Sequence, residues 1–317
     1  MTVKLGVIMD PIEGINVTKD STFAMLLEAQ RRAYQIHNLQ SSDLHLVDNK
    51  VMGQTAQISV QDDKSHWYNA QDSVLRDLSE LDAVLMRKDP PFNMEYIYTT
   101  YLLDRLQELG TVVINHPSGL RSANEKLLAT RFPECTVPSV VSQKKQVLNS
   151  FIDEHQEIVI KPLDGMAGES IFRIQHDDPN RNVIIETITH SGNRTVMAQQ
   201  FIAAYKQGDK RILLIDGEPI PYALLRVPAK GELRANLAKG GTGTGVELND
   251  RDRWICAQLK PELIALQLSF VGIDVIGEFL TEINVTSPTG IRELDKTFNL
   301  NICATLFDAI ENRLALG

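Results

Sequence analysis

The chain has 317 residues, 43% hydrophobic and 23% charged, with a net charge of −9 and a pI near 5.3. That composition fits a soluble globular protein with room for two or three packed units, and the acidic balance argues against a nucleic-acid binder, which needs a basic face. Residues 1–10 run straight into a strand pattern without the apolar core of a signal peptide, and no stretch approaches the roughly 20 apolar residues of a membrane span.

Residues 3–9 (VKLGVIM) form an apolar run that reads as a buried strand, stopped by Asp10-Pro11. Ser21 offers a helix cap, and FAMLLEAQRRAY spaces its apolar residues as a helix does. Residues 81–86 read as a second strand that leads into RKDPPF, residues 96–109 as a helix ending at Gly110, and residues 111–115 as a third strand. Strand and helix alternating in this way predict a doubly wound, parallel-sheet α/β domain over residues 1–123. The pattern changes after Asn124. NEKLLATRF reads as a short helix and residues 144–155 as another. The strands EIVIKPL, SIFRI, TVMAQQFI, KRILLI and YALLRV follow in close succession. Closely spaced strands joined by turns such as Asp216-Gly217-Glu218-Pro219 are antiparallel, so residues 124–317 read as an α+β unit. Residues 227–245 are rich in glycine and charge and lack a period, which predicts a long functional loop. A helix over 250–267, a hairpin and a helix over 302–315 complete the chain. Cys135, Cys256 and Cys303 match neither a disulfide framework nor a zinc site, and reduced thiols in a cytoplasmic protein are the simplest account.

The hairpin FVGIDVIGEFLTEINVT carries the most chemistry. Glu282 and Asn284 share one strand face, which alone fits a solvated edge as well as a site. Asp274 interrupts an apolar run, where a carboxylate is costly unless paired or metal-bound. A three-residue turn, Gly277-Glu278-Phe279, sets Asp274 opposite Glu282. A two-residue turn sets Thr281 there and turns Glu282 away. With the first register, the three oxygen-bearing side chains suit a hard divalent cation that manages phosphates. Gly165 and Gly168 lie in a strand–loop–strand turn that is either a plain hairpin or a backbone cradle for phosphate, with Lys161 placed to reach the same oxygens. Lys126 near a helix start is a phosphate contact or, taken alone, an exposed helix lysine. Arg211 and Arg226 border buried strands and pair either with a reacting anion or with a structural acid. Arg234 and Asn236 fall within the long loop and could close over an anion.

Taken in order, NEKLL, IVIKPLDGMAGESIF, MAQQFI, GDKRILLIDGEPIPYALLR, the glycine-rich loop and GIDVIGEFLTEINVTSPTGIRE resemble the ATP-grasp superfamily. With VIMDPIEGINVTKDSTFAMLLEAQRR and VLMRKDPPF, nearly the whole chain resembles the bacterial glutathione synthetases. That resemblance implies an ATP-grasp fold of a small ATP-covering part (124–200) and a C-terminal part (201–317) with a lid at 227–245. It implies ligation of γ-glutamylcysteine and glycine to glutathione, with ADP and phosphate, through an acyl phosphate. It implies that Lys126, Lys161, Gly165 and Gly168 contact ATP phosphates, that Gln199, Gln200, Phe201 and Ile202 hold adenine, and that Asp209 approaches the ribose. Arg211 and Arg226 would hold the reacting carboxylate and phosphate, with Arg234 and Asn236 on the lid. Asp274, Glu282 and Asn284 would bind two Mg2+ ions, replaceable by Mn2+. A homo-oligomer, a tetramer by resemblance, is expected, with neither nucleic-acid nor membrane partners. The family commonly has glycine where Ala167 stands. A dipeptide or glutamate ligase of the same fold, or a nucleotide-binding protein without turnover, are the competing functions.

Overall fold

The apolar run of residues 3–9 forms β1 (Lys4–Ile8), buried on both faces as a central parallel strand must be. The structure, a computed structural model, describes residues 2–166, 168, 170–229 and 242–316. Helix α1 (Ser21–Arg31) follows, capped by Asp20, whose carboxylate accepts from Phe23 N at 2.6 Å. Ser21, the expected cap, is instead the first helical residue, and its Oγ accepts from Gly290 N and Ile291 N at 3.1 and 3.2 Å.

Strand β2 (Gln35–Leu39) then lies parallel to β1. The strands β3 (Leu44–Val47), β4 (Lys50–Val60), β5 (Tyr68–Ala70) and β6 (Val74–Asp77) extend the sheet antiparallel, with β4 pairing to β2. Parallel pairing resumes with β7 (Ala83–Met86), α2 (Met94–Glu108) and β8 (Val112–Ile114), giving the order β3-β4-β2-β1-β7-β8. The parallel-sheet domain expected for residues 1–123 is present as the four-stranded parallel core β2-β1-β7-β8, and β3 to β6 add an antiparallel extension whose half-buried, polar-rich strands lack the apolar runs that marked the others.

After α3 (Pro117–Ser122) the Asn124 side chain accepts from Lys126 N and Leu127 N. Asparagine used this way competes with the helix, and NEKLLATRF forms a turn and a 3-10 segment rather than the expected α-helix. Next come β9 (Ser139–Ser142), α4 (Lys145–His155), β10 (Glu157–Pro162), β11 (Phe172–Gln175), α5 (Arg181–Ile188) and β12 (Val196–Gln200). They make a four-stranded antiparallel sheet, β11-β10-β12-β9. The last sheet is built from β13 (Asp209–Ile215), β14 (Glu218–Val227), β15 (Thr242–Glu247), β16 (Phe270–Ile276) and β17 (Phe279–Asn284), in the order β15-β14-β13-β16-β17. Helix α6 (Asp250–Ala265) precedes β16, and α7 (Ile291–Phe298) and α8 (Ile302–Leu316) end the chain. Because β14 runs to Val227 and pairs with Thr242–Gly245 of β15, the expected loop 227–245 is strand at both ends.

The small four-stranded sheet has a core of its own, around Leu148, Ile152, Ile160 and Ile185. The other two cores are shared: Leu5, Val7 and Phe23 pack in one cluster with Leu213, Phe270 and Phe307. The first and last sheets are thus joined by apolar packing, and the small sheet covers them as a separately packed layer.

One buried group makes this framework sensitive to acid. His37 on β2 is 2% exposed, and neither ring nitrogen has a hydrogen-bond partner among the described residues. Burial, helped by the charges of Arg76 and Lys4, lowers its pKa from 6.5 to about 4. The unfolded chain therefore binds a proton that the folded chain refuses, and stability falls as pH drops from 6.5 to 4, by up to about 3 kcal/mol. Urea midpoints measured across that window should show this loss in the native chain and lack it in His37→Asn. Equal slopes in the two proteins would rule the effect out.

Candidate active site

Strands β16 and β17 bring the first candidate residues together by a route the sequence did not suggest. Ile276 pairs with Phe279, so the turn is the two residues Gly277 and Glu278, not three. Alone, that turn sets Thr281 opposite Asp274. Instead the register shifts between Asp274 and Val275, and Thr281 becomes the extra residue of a bulge. Its hydroxyl donates to Asp274 O at 3.0 Å. Beyond the bulge Asp274 pairs with Glu282 and Gly272 with Asn284, so the expected face is assembled with a different turn.

Asp274 is bound from two sides. Arg211 on β13 donates to both its oxygens, at 2.6 and 2.9 Å, and Arg226 on β14 lies 2.8 Å from Oδ1. Arg226 also donates to Asp209 at 2.6 Å. Gly272 makes room for this: a Cβ there would stand 3.0 Å from Arg211 Cδ. Burial by itself would raise the Asp274 carboxyl, but the two guanidiniums hold it well below the usual carboxylate range. Burial does raise Asp209, against the pull of Arg226. Asn284 Nδ2 donates to Gly272 O at 3.1 Å and Asp274 Oδ2 at 3.3 Å, which turns its carbonyl oxygen the other way.

Two lysines face Glu282. Lys161 Nζ lies 3.3 Å from Oε1 and Lys126 Nζ 3.8 Å. Lys126 is 4% exposed, so it is not the surface lysine its local sequence favoured. Its ammonium donates to Gly165 O at 2.7 Å, tying the glycine turn to the site. Burial pushes the Lys161 pKa down, opposed by Glu282. Glu282 stays below its ordinary value because the two lysines outweigh burial. Gly168 has φ +76, a conformation that favours glycine. Ala167 lies outside the described residues.

Gln199, Gln200, Phe201 and Ile202 form a wall at the end of β12. Gln199 is 5% exposed, and its Nε2 has no partner among the described residues. The Gln200 and Phe201 N–H groups donate to Pro138 O and Glu157 O at 2.9 and 3.0 Å, so neither is available to a ligand. Arg173 stacks over the Phe201 ring at 4.2 Å.

The predicted site residues that the structure describes line one cavity of about 620 Å³, the size of a nucleotide or peptide site. It gathers Lys126, Lys161, Gly165, Gly168, Gln199, Gln200, Phe201, Ile202, Asp209, Arg211, Arg226, Asp274, Glu282 and Asn284. Arg234 and Asn236 lie outside the described residues. Sequence reasoning missed Glu125. Its backbone oxygen accepts from Ile283 N at 2.8 Å, and its Oε1 accepts from Val285 N, Thr286 N and Thr286 Oγ1 at 3.1, 3.3 and 2.9 Å. It thereby pins the strand end that carries Asn284. It also missed the wall from the first domain, Asn16, Lys19, Asp20, Asp89 and Pro90, although the RKDPPF run that contains two of them was the available signal.

Similarity to known proteins fits this geometry. The family model for the prokaryotic glutathione synthetase N-terminal domain matches residues 3–121, and that for the prokaryotic glutathione synthetase ATP-grasp domain matches residues 125–299. Glutathione synthetase of Vibrio parahaemolyticus is 52% identical over 312 residues, 98% of this chain and 99% of that protein. That of Coxiella burnetii is 52% identical over 315 residues, 99% of this chain and 98% of that protein. Among solved structures, D-cycloserine synthetase DcsG has a TM-score of 0.67 at 15% identity, covering 98% of this chain and 99% of that one. D-alanyl-alanine synthetase A of Vibrio cholerae has a TM-score of 0.62 at 11% identity, covering 99% of both. These two show the fold alone. Two family models that between them take in both domains, and relatives half identical from end to end, establish that the chain belongs to the prokaryotic glutathione synthetases, ATP-dependent ligases of the ATP-grasp fold.

Proposed function

We propose that this cavity joins γ-glutamylcysteine and glycine to make glutathione, and that its residues divide the work as follows. The observation that carries the assignment is the convergence of Lys126, Lys161, Arg211 and Arg226 with Asp274, Glu282 and Asn284 on one cavity between the small sheet and the rest. Adenine lies against Gln199–Ile202, where the unpartnered Gln199 Nε2 offers a donor and Arg173 stiffens Phe201. Asp209 borders the ribose, and Lys126 and Lys161 meet the phosphates beside Gly165 and Gly168.

Phosphoryl transfer needs positioning and charge neutralisation more than acid–base groups. The cysteinyl carboxylate attacks the γ-phosphorus of ATP, giving an acyl phosphate and ADP. The amine of glycine then attacks the acyl carbon and releases phosphate. Arg211 and Arg226, fixed by Asp274, hold the reacting carboxylate and the oxyanion that follows. Arg234 and Asn236 belong to the segment that excludes water from the acyl phosphate.

Ligases of this family use ATP with a divalent cation, and the donor set fits a hard one such as Mg2+. Glu282 Oε2 and Asn284 Oδ1 accept no hydrogen bond from the described residues, and both residues line the cavity. The oxygens of Asp274 are engaged by Arg211, Arg226 and Asn284, so its share in holding metal requires one of those contacts to yield. Two ions, with Mn2+ as a substitute for Mg2+, would neutralise the transferring phosphate charge.

The three cysteines are free and buried, which supports a cytoplasmic setting. No helix among the described residues is long and apolar enough to cross a membrane. Exposed Leu46, Val47, Val74 and Leu75 on β3 and β6 support a homo-oligomer, which the family resemblance makes a tetramer; a monomer or dimer in sedimentation would reject that count. Phosphate release assayed with ATP, γ-glutamylcysteine and a panel of amines tests the function. Release should require both γ-glutamylcysteine and glycine, and turnover with unrelated dipeptide precursors would reassign the enzyme.

A further inference from the structure

The two-residue turn of the β16–β17 hairpin pairs Ile276 with Phe279 and Val275 with Leu280. A chain without Thr281 would bring Glu282 opposite Asp274 across the same turn with an unbroken ladder, so the pairing of those carboxylates does not account for the extra residue. The bulge instead changes the outer edge of β17. Leu280 N and Ile283 N both donate away from β16, to Cys135 O and Glu125 O at 2.8 Å each. These residues are three apart, whereas a regular strand turns only every second residue to one edge. Between them the Thr281 carbonyl faces Lys161 Nζ at 3.4 Å, and Lys161 comes from β10 of the small sheet. Thr281 Oγ1, donating to Asp274 O at 3.0 Å, locks the bulge from its other side. Thr281 and Glu282 both line the cavity, which successive residues of a regular strand would not do.

We infer that Thr281 is a positioning residue that aims the Lys161 ammonium at the phosphates of the nucleotide. The inference rests on the reading above that Lys161 meets ATP, and it says what holds the lysine there. An ammonium carries three N–H donors. Among the described residues Lys161 Nζ has two acceptors, Thr281 O and Glu282 Oε1, at 3.4 and 3.3 Å. Two fixed acceptors set the direction of the third N–H, and the cavity that Lys161 lines lies before it. Both contacts are long, so charge remains for a phosphate oxygen. Fixing a long, rotatable side chain before the ligand arrives reduces the ordering that binding must supply. Burial pushes the Lys161 pKa down, and a carbonyl beside the ammonium helps it stay charged.

The experiment measures dissociation constants for ADP and for adenosine, which has no phosphates, with Mg2+ and with EDTA. It compares the native enzyme with Thr281→Val, Thr281→Ser, Lys161→Met and the variant carrying both Thr281→Val and Lys161→Met. Valine keeps the shape of threonine and removes the hydroxyl that locks the bulge; serine keeps the hydroxyl. Thr281→Val should weaken ADP about 10-fold, the scale of one charge-assisted hydrogen bond, and leave adenosine within about twofold. Thr281→Ser should bind ADP within about twofold of the native enzyme. In the Lys161→Met background the valine change should have no further effect, a coupling that a merely structural role would not give. Unchanged ADP affinity in Thr281→Val, an equal loss for adenosine, a loss seen only with Mg2+, or a loss that persists without the Lys161 amine overturns the inference. If Thr281→Val does not fold, Thr281→Ala makes the same comparison against Thr281→Ser, and Lys161→Met with unchanged ADP affinity overturns the inference by itself. Native enzyme that binds no ADP defeats the nucleotide assignment, an outcome separate from these.

Discussion

Glu282→Ala should lower ligation by about 10³-fold or more, as expected when a carboxylate proposed to hold the cation that neutralises the transferring phosphate is removed, while the fold survives. Glu282 is the point where β17, Lys126 and Lys161 meet: its Oε1 lies 3.3 and 3.8 Å from the two ammonium groups, and its other oxygen accepts no hydrogen bond among the described residues. Without it the lysines remain but have no anion to orient them, and the proposed cation loses a ligand. Lys161 Nζ keeps the Thr281 carbonyl at 3.4 Å and Lys126 Nζ the Gly165 carbonyl at 2.7 Å, so each ammonium retains an acceptor and the vacancy is tolerated structurally. Phosphate release and a thermal melt on the same preparation test both halves. A variant that retained near-native turnover would remove Glu282 from the site's chemistry.

Asp274→Ala should have the largest effect on stability, about 3–5 kcal/mol, because it strips a buried carboxylate from two buried guanidiniums. Arg226 keeps Asp209, so Arg211 bears most of the loss: its remaining side-chain hydrogen bond among the described residues is a long one to Thr289 O, at 3.5 Å. The folded Asp274 titrates below its ordinary value of 3.8. Its contribution is therefore fully present above the unfolded pKa and is lost only as pH falls below it, so urea denaturation at neutral pH measures all of it. A change under about 1 kcal/mol, the size typical of an exposed pair, would show that the arginines do not depend on this carboxylate.

Much of the site could be found in the chain because polar residues inside apolar runs are conspicuous. Asp274 within FVGIDVI and Lys161 after IVI each interrupt a pattern that burial otherwise explains, and both prove buried, at 6% and 5% exposure. Glu125 carries no such mark. It sits in a polar stretch, and its importance comes from strand-end N–H groups some 160 residues away. Glu293 on α7, which also lines the cavity, is equally inconspicuous, since that helix looks like any surface helix until the cavity against it is seen.

The sequence by itself determined the pattern: which runs are strands, which polar residues interrupt them, and that Asp274, Glu282 and Asn284 belong to one hairpin. Side-chain alternation and turn residues are local, so they are legible locally. Tertiary structure decided the rest. The hairpin turned in two residues rather than three, and only the bulge at Thr281 set Asp274 against Glu282; turn length and bulge compensate each other, and a sequence read strand by strand cannot separate them. Lys126 was buried because the small sheet packs over it, not because of its neighbours in the chain. The antiparallel strands β3 to β6 formed because β4 pairs with the open edge of β2, a partner supplied by the sheet and by nothing in their own residues.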